Sequence, residues 1–239
     1  MSDAQAGAHE APDAARLVVA LSGSPRAGSN TDILTDTALL GAKETGAETV
    51  HLRARDVRAI PCQACGPDPT GGHGYCIYHD DMDRVYELLE RATGVLVASP
   101  VFFSGLSAQL KLVIDRTNCV TPAVEAPDGS VSFRRQWPRT RRGGLILVLG
   151  PDDTPEPSRL TARGFLSWIG GRLLETLVYR HRDIELGAVA RDSEWLARAR
   201  ALGASLAGPP LVPGPSASSG GTGSFHATHP GLTPSGDSK

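Results

Sequence analysis

The sequence predicts a three-layer α/β domain in which a parallel sheet is covered by helices on both faces. Three observations carry this. Short apolar runs without alternation, such as 17–21 (LVVAL), 94–98 (GVLVA) and 144–149 (GLILVL), are the pattern of strands buried on both sides. Stretches with helical spacing separate them. Five strands and five helices alternate along the chain, and right-handed crossovers then place the helices on both faces of one sheet.

The first strand, 17–21, ends in Ser-Gly-Ser-Pro, and from Thr31 the spacing becomes Leu34, Ala38 and Gly41 with Ile33 beside them, a helix with Ser29 or Asn30 as N-cap. A second strand is expected near 49–52. Met82, Val85, Tyr86 and Leu89 fall at i, i+3, i+4 and i+7 behind Asp80 and Asp81, a capped amphipathic helix leading into the strand at 94–98. Leu106, Leu110, Val113 and Ile114 mark the third helix, and 144–149 is the fourth strand. A helix over 160–169, a fifth strand over 174–179 and a helix through Trp195, Ala199, Leu202 and Leu206, capped by Asp192 or Ser193, complete the order. Between Cys119 and Gly143 lies a long connection. Asp128-Gly129 flanked by Val131 and Phe133 predicts a hairpin in this inserted segment, 120–142.

A length of 239 residues suits one domain with flexible ends, and 40% apolar against 21% charged residues marks it as globular. Eighteen of the 31 residues from 209 to 239 are Pro, Gly or Ser, so 208–239 is expected to be a disordered tail, as is 1–14. Residues 15–207 carry a net charge of +1 and the whole chain −2, which excludes a strong field for nucleic acid or anionic lipid. The start of the chain holds Asp3, Glu10 and Asp13 and no apolar run of the signal-peptide kind, and no stretch approaches the roughly 18 to 20 apolar residues of a membrane span. A cytoplasmic protein is expected. Its four cysteines, Cys62, Cys65, Cys76 and Cys119, are then reduced thiols rather than a disulfide framework.

In such sheets ligands sit beyond the carboxyl ends of the strands. The loop after the first strand, residues 22–31, combines small residues, hydroxyls and Arg26 with a helix N-terminus, whose free N–H groups suit a dianionic phosphate. It has neither the lysine of a Walker A loop nor the spacing of G-x-G-x-x-G, and by itself it reads equally as a Ser/Gly-rich turn with an N-cap. The loop after the third strand, residues 99–105, places Phe102 and Phe103 where a flavin ring can lie or where they can pack under the sheet edge.

On Gly23-Ser24-Pro25-Arg26 with Ser29-Asn30-Thr31, and on Ser99-Pro100-Val101 through Ser107-Ala108-Gln109-Leu110-Lys111 with Ile114-Asp115-Arg116, the chain resembles the flavodoxin-like NAD(P)H-dependent FMN reductases and their multimeric and iron–sulfur relatives. The resemblance implies a flavodoxin-like sandwich with a five-stranded parallel sheet in the order 2-1-3-4-5. It implies FMN as cofactor, held at its phosphate by Ser24, Arg26, Ser29, Asn30 and Thr31. Pro100, Val101, Phe102, Phe103, Ser104 and Gly105 would line the flavin, and Gly150 with the residues to Asp153 its other edge. It further implies NAD(P)H as co-substrate, a quinone, free flavin or other small molecule as electron acceptor, and a homodimer or homotetramer. A flavodoxin-type carrier serving a protein partner is the alternative, against which the near-neutral charge weighs. Ser104 stands where relatives usually have Gly, so its Cβ is expected to hinder close approach of a flavin edge.

Cys62-Gln-Ala-Cys65 and Cys76 lie where the iron–sulfur relatives carry four cysteines. The position three past Cys65 is Asp68, and Cys119 is remote in sequence, so the sequence predicts free thiols and no metal; His73 and His79 could complete a zinc set, but in no standard spacing. Arg134, Arg135, Arg139, Arg141 and Arg142 surround Trp137. They read either as a flap meeting the phosphates of NAD(P)H, with Trp137 stacking on substrate, or as a solvated loop or subunit contact. His51, His181, His226 and His229 read as structural or solvated. No nucleophile elbow or triad is visible, and no catalytic side chain is assigned.

Overall fold

The computed structural model describes residues 16–65, 75–133, 135–181, 185–209 and Leu211. The expected terminal tails fall almost wholly outside these residues, as do Asp68, His73, Arg134, His226 and His229. The main sheet runs β2-β1-β3-β7-β8, all parallel, from β1 (Leu17–Ser22), β2 (Glu48–Arg53), β3 (Gly94–Phe102), β7 (Arg141–Leu149) and β8 (Gly171–Arg180). This is the flavodoxin-like order expected. A short β4 (Gly105–Leu106) folds back on the end of β3, and β5 (Ala123–Glu125) pairs with β6 (Val131–Phe133) as the expected hairpin.

Successive strand residues point to opposite faces, so the apolar runs feed two cores. Leu17, Val19 and Leu21 with Val95, Val97, Leu145, Leu147 and Leu149 pack on one face under α2 (Met82–Arg91), α3 (Ala108–Arg116) and α4 (Glu156–Trp168). Val18 and Ala20 with Leu96, Ala98, Ile146 and Val148 pack on the other under α1 (Asn30–Glu44) and α5 (Ser193–Leu206). The helix periodicity is thus satisfied on both sides. Ser29 and Asp192 are the caps of α1 and α5, each accepting from the N–H three residues on. Asp80 accepts from the Met82 N–H at the start of α2, while Asp81 instead holds the Arg58 N–H at 2.7 Å. Leu106 belongs to β4 rather than to α3, and α4 begins at Glu156, earlier than its apolar spacing shows, because its first turn is polar.

The arginine-rich segment is neither flap nor solvated loop at its key positions. Trp137 is fully buried and donates its indole N–H to the Tyr75 hydroxyl at 2.9 Å. Arg141 is also fully buried and donates to the carbonyls of Leu89, Glu90, Arg139 and Ile169, which closes the C-terminal ends of α2 and α4. Burial without a carboxylate partner pulls its pKa down to about 10. As the first residue of β7, Arg141 lies at the amino end of the sheet, about 26 Å along the strand from its carboxyl end. Arg142 likewise holds the Ser205 and Pro209 carbonyls at the end of α5.

α1 and α5 touch backbone to backbone. A Cβ at Gly203 would sit 1.6 Å from the Ala38 oxygen, and one at Gly41 2.0 Å from the Arg200 oxygen. Gly203→Ala must therefore push the helices apart, and it is expected to lower stability by at least about 1 to 3 kcal/mol in urea unfolding, against a gain of about 0.5 to 1 kcal/mol for Ala at exposed, mid-helix Gly164.

Candidate functional site

Three loops meet at the carboxyl end of the sheet. The first leaves β1 at Ser22, and the Gly23 N–H donates to the Ala98 carbonyl while its own carbonyl accepts from the Ser107 hydroxyl at 2.6 Å. A Cβ on Gly23 would lie 2.5 Å from that hydroxyl oxygen, so only glycine lets this loop rest against the N-terminus of α3. Ser107 also receives the Leu110 N–H as N-cap, and its own N–H is held by the Ser99 hydroxyl. The loops after β1 and β3 are thereby locked together. Ser24 folds the first loop by bonding both the N–H and the carbonyl of Arg26.

Beneath the loop lies a pair that the sequence reading did not single out. Asp32, 3% exposed, accepts from the Ser22 hydroxyl at 3.0 Å and from Arg55 at 2.9 and 3.2 Å. The same guanidinium nitrogen donates to the Ser24 carbonyl at 3.1 Å and lies 3.4 Å from that of Arg26. Arg55 thus holds the loop's carbonyls down and turned away from its ligand-facing side. The N–H groups of Asn30 and Thr31 lie in the first turn, ahead of the Asp32 and Ile33 N–H groups that Ser29 accepts, and are free of the helix ladder to meet a ligand.

The second loop is a two-residue turn. Val101 pairs with Leu106 and Phe102 with Gly105, and the turn residues Phe103 and Ser104 have φ of +50° and +63°, the pattern of a type I′ turn. Ser104, a residue with a Cβ, thus occupies a left-handed position that favours glycine. Phe102 is half exposed and Phe103 fully exposed. The third loop is shaped by Arg180, which donates to the carbonyls of Gly150, Pro151 and Asp153, while the Asp153 carboxylate takes the Gly150 N–H.

These loops enclose an open cavity of about 290 Å³. Of the expected residues, Ser24, Arg26, Asn30, Thr31, Pro100, Val101, Phe102 and Gly150 line it. Ser29, Phe103, Ser104 and Gly105 do not. Ser29 is instead the N-cap of α1, Asn30 uses its side-chain oxygen to hold the Val189 N–H at 3.0 Å, and the Ser104 carbonyl accepts from Ser158. Pro25, Val148, Asp153, His181 and Glu185 also line the cavity. His181 and Glu185 follow the fifth parallel strand, whose carboxyl end the rule for open sheets marks as readily as the others.

Residues 17–137, half of the chain, match the family described as NADPH-dependent FMN reductase. The chain belongs to that family. It is 39% identical over 100 residues to the iron-sulfur flavoprotein of Methanosarcina thermophila, an alignment covering 42% of this chain and 51% of that protein. A second iron-sulfur flavoprotein, from Archaeoglobus fulgidus, is 38% identical over 107 residues, covering 45% of this chain and 53% of the relative. The chain therefore spans about half the length of the curated relatives it matches. Among solved structures, the NAD(P)H:quinone oxidoreductase of Methanothermobacter marburgensis superimposes with a TM-score of 0.59 at 17% identity, over 81% of this chain and all of that one, a likeness of fold.

Removing Arg55 strands the Asp32 carboxylate. Arg55→Ala is expected to cost about 3 kcal/mol of stability, the low end for a broken buried ion pair, and to weaken binding at the loop; full retention of both in chemical unfolding and FMN titration would show that the pair does not hold it.

Proposed function

We propose that the chain is an FMN-dependent oxidoreductase that takes hydride from NAD(P)H and passes the electrons to a small acceptor such as a quinone or free flavin. One observation carries the reading: a helix N-terminus, an aromatic-bearing turn and the ends of two further strands converge on one cavity. Its volume is near the roughly 300 Å³ at which small-molecule sites begin, and its open mouth leaves room for a ligand that protrudes.

The residues present fit FMN. The N–H groups of Asn30 and Thr31, the positive end of α1 and the exposed Arg26 side chain would hold the phosphate. Residues 100–105 would offer backbone groups and the Phe102 ring to the flavin, and the Gly150 loop its opposite edge. FMN, once bound, supplies hydride acceptance and onward electron transfer; the protein binds and orients it. The two carboxylates at the cavity wall are each engaged, Asp153 by the Gly150 N–H and Glu185 by Arg191 at 2.6 and 2.7 Å, which tempers their repulsion of a phosphate. No side chain is assigned as acid or base. The fully exposed Phe103 ring, next in the chain to the cavity-lining Phe102, would suit cover by a second subunit of a homodimer or homotetramer.

Visible spectra of the protein loaded with FMN, desalted and treated anaerobically with NADPH and then NADH are expected to show bound flavin that bleaches with a nicotinamide. Bound flavin that neither nicotinamide reduces would favour the carrier reading, and no bound flavin would remove both. Arg26→Ala is expected to weaken FMN by about 10- to 100-fold in fluorescence titration, since charge-assisted phosphate contacts contribute roughly 1.5 to 3 kcal/mol; an unchanged Kd would take Arg26 out of the phosphate site.

A further inference from the structure

A second cavity, of about 440 Å³, shares no lining residue with the first and is the larger of the two. It falls within the roughly 300 to 1,000 Å³ range of small-molecule sites. Its wall is drawn from the loop after β2, the approach to α2, the turn that follows α3, the β5–β6 hairpin and the end of α4. Three of the lining side chains are aromatic. Trp168 and Phe133 stack with ring centres 5.4 Å apart, and the Tyr78 ring lies 5.8 Å from the Arg116 guanidinium. The rim is apolar as well: Phe133 is 64% exposed, and Ile77 and Val124, next in the chain to lining residues, are each 41% exposed.

This wall offers almost nothing to a charged guest. Among the described lining residues the one cationic side chain is Arg116, and its side chain is 1% exposed and already engaged. It donates to the Asp80 carboxylate at 2.7 and 3.2 Å, to the Ile60 carbonyl at 2.8 Å and to the Cys76 sulfur at 3.6 Å, and its Nε is buried. Burial pushes the Cys119 thiol up to about 11, so it is uncharged at neutral pH. Among the described residues no three His, Cys, Asp or Glu groups are placed to hold a metal ion, and the cysteines enter the wall as soft, polarizable surface. An ionised molecule would lose hydration here without gaining a counter-ion. A flat uncharged ring avoids that cost and gains contact with three aromatic faces and with sulfur. Asn118, exposed at the edge of the cavity, brings a carboxamide that can meet a hydroxyl or carbonyl oxygen on such a ring.

We propose that this cavity is a binding site for a flat, uncharged aromatic molecule of about two fused rings that bears a hydroxyl or carbonyl group. The rings occupy the space between Trp168, Phe133 and Tyr78, and the oxygen lies toward Asn118. The assignment does not depend on the FMN reading, because the two cavities have no residue in common.

The test is isothermal titration calorimetry of the full chain at neutral pH with 2-naphthol and with 2-naphthoate, which share their rings and differ in charge. 2-Naphthol is expected to bind one per chain with a Kd on the order of 10 to 100 µM, the range a ligand of this size reaches, and 2-naphthoate at least about tenfold more weakly. Excess FMN is expected to leave the 2-naphthol affinity unchanged. Ala123→Trp, at an exposed lining position where the added indole fills the cavity and not the core, is expected to weaken 2-naphthol at least about tenfold, and Phe133→Ala about two- to tenfold through the lost stacking. An unchanged thermal unfolding midpoint in each variant verifies the fold. The proposal is overturned if 2-naphthol does not bind up to about 1 mM, if 2-naphthoate binds as tightly, if FMN displaces 2-naphthol and so places it in the first cavity, or if folded Ala123→Trp binds it as wild type does. It is overturned equally if sedimentation shows a dimer that Phe133→Ala dissociates, which would make this face a contact between subunits.

Discussion

β1, β3 and β7 have no face open to water, and this constraint governs the rest of the molecule. Nearly every side chain along them is buried, alternately in one core and the other, so the strands cannot carry chemistry along their length. Backbone groups become available only where the ladders stop. Because all five strands run the same way, every carboxyl end falls at one edge, and the loops there are brought together whatever their separation in the chain.

At that edge the loops are held by a few polar contacts that the cores could not provide. Ser107 ties the β1 loop to the β3 loop through Gly23, and Asp32 with Arg55 fixes the carbonyls of the β1 loop. These groups stabilise the fold and shape the cavity at once, since the carbonyls of Gly23, Ser24 and Arg26 already have partners. The opposite edge shows the same economy in reverse. There Arg141 collects three carbonyls from the ends of two helices and a fourth from Arg139 in its own segment, and its charge serves structure rather than a substrate.

The two cavities divide the chemistry of the chain. One is built on helix dipole, backbone donors and aromatic surface, which suit an anionic flavin. The other is lined by four cysteines and the buried Arg116 guanidinium.

The element order, the two-sided burial of the strands, caps to within one residue of Ser29 and Asp192 and the hairpin at Asp128-Gly129 were legible in the sequence, because each is set by neighbours a few residues apart, whereas most of the first cavity's lining was reached through the family resemblance. Hydrophobic period, turn chemistry and capping are local properties. The tertiary structure alone decided what depends on distant pairs: the Arg55–Asp32 contact, the burial of Trp137 and Arg141, the His181 and Glu185 wall, and the meeting of Cys119 with the loop thiols. An arginine or cysteine side chain carries no mark of its partner in its own segment. Which carbonyl or cavity it reaches is determined by how the helices stack on the sheet, and that stacking exists only once the whole core has closed.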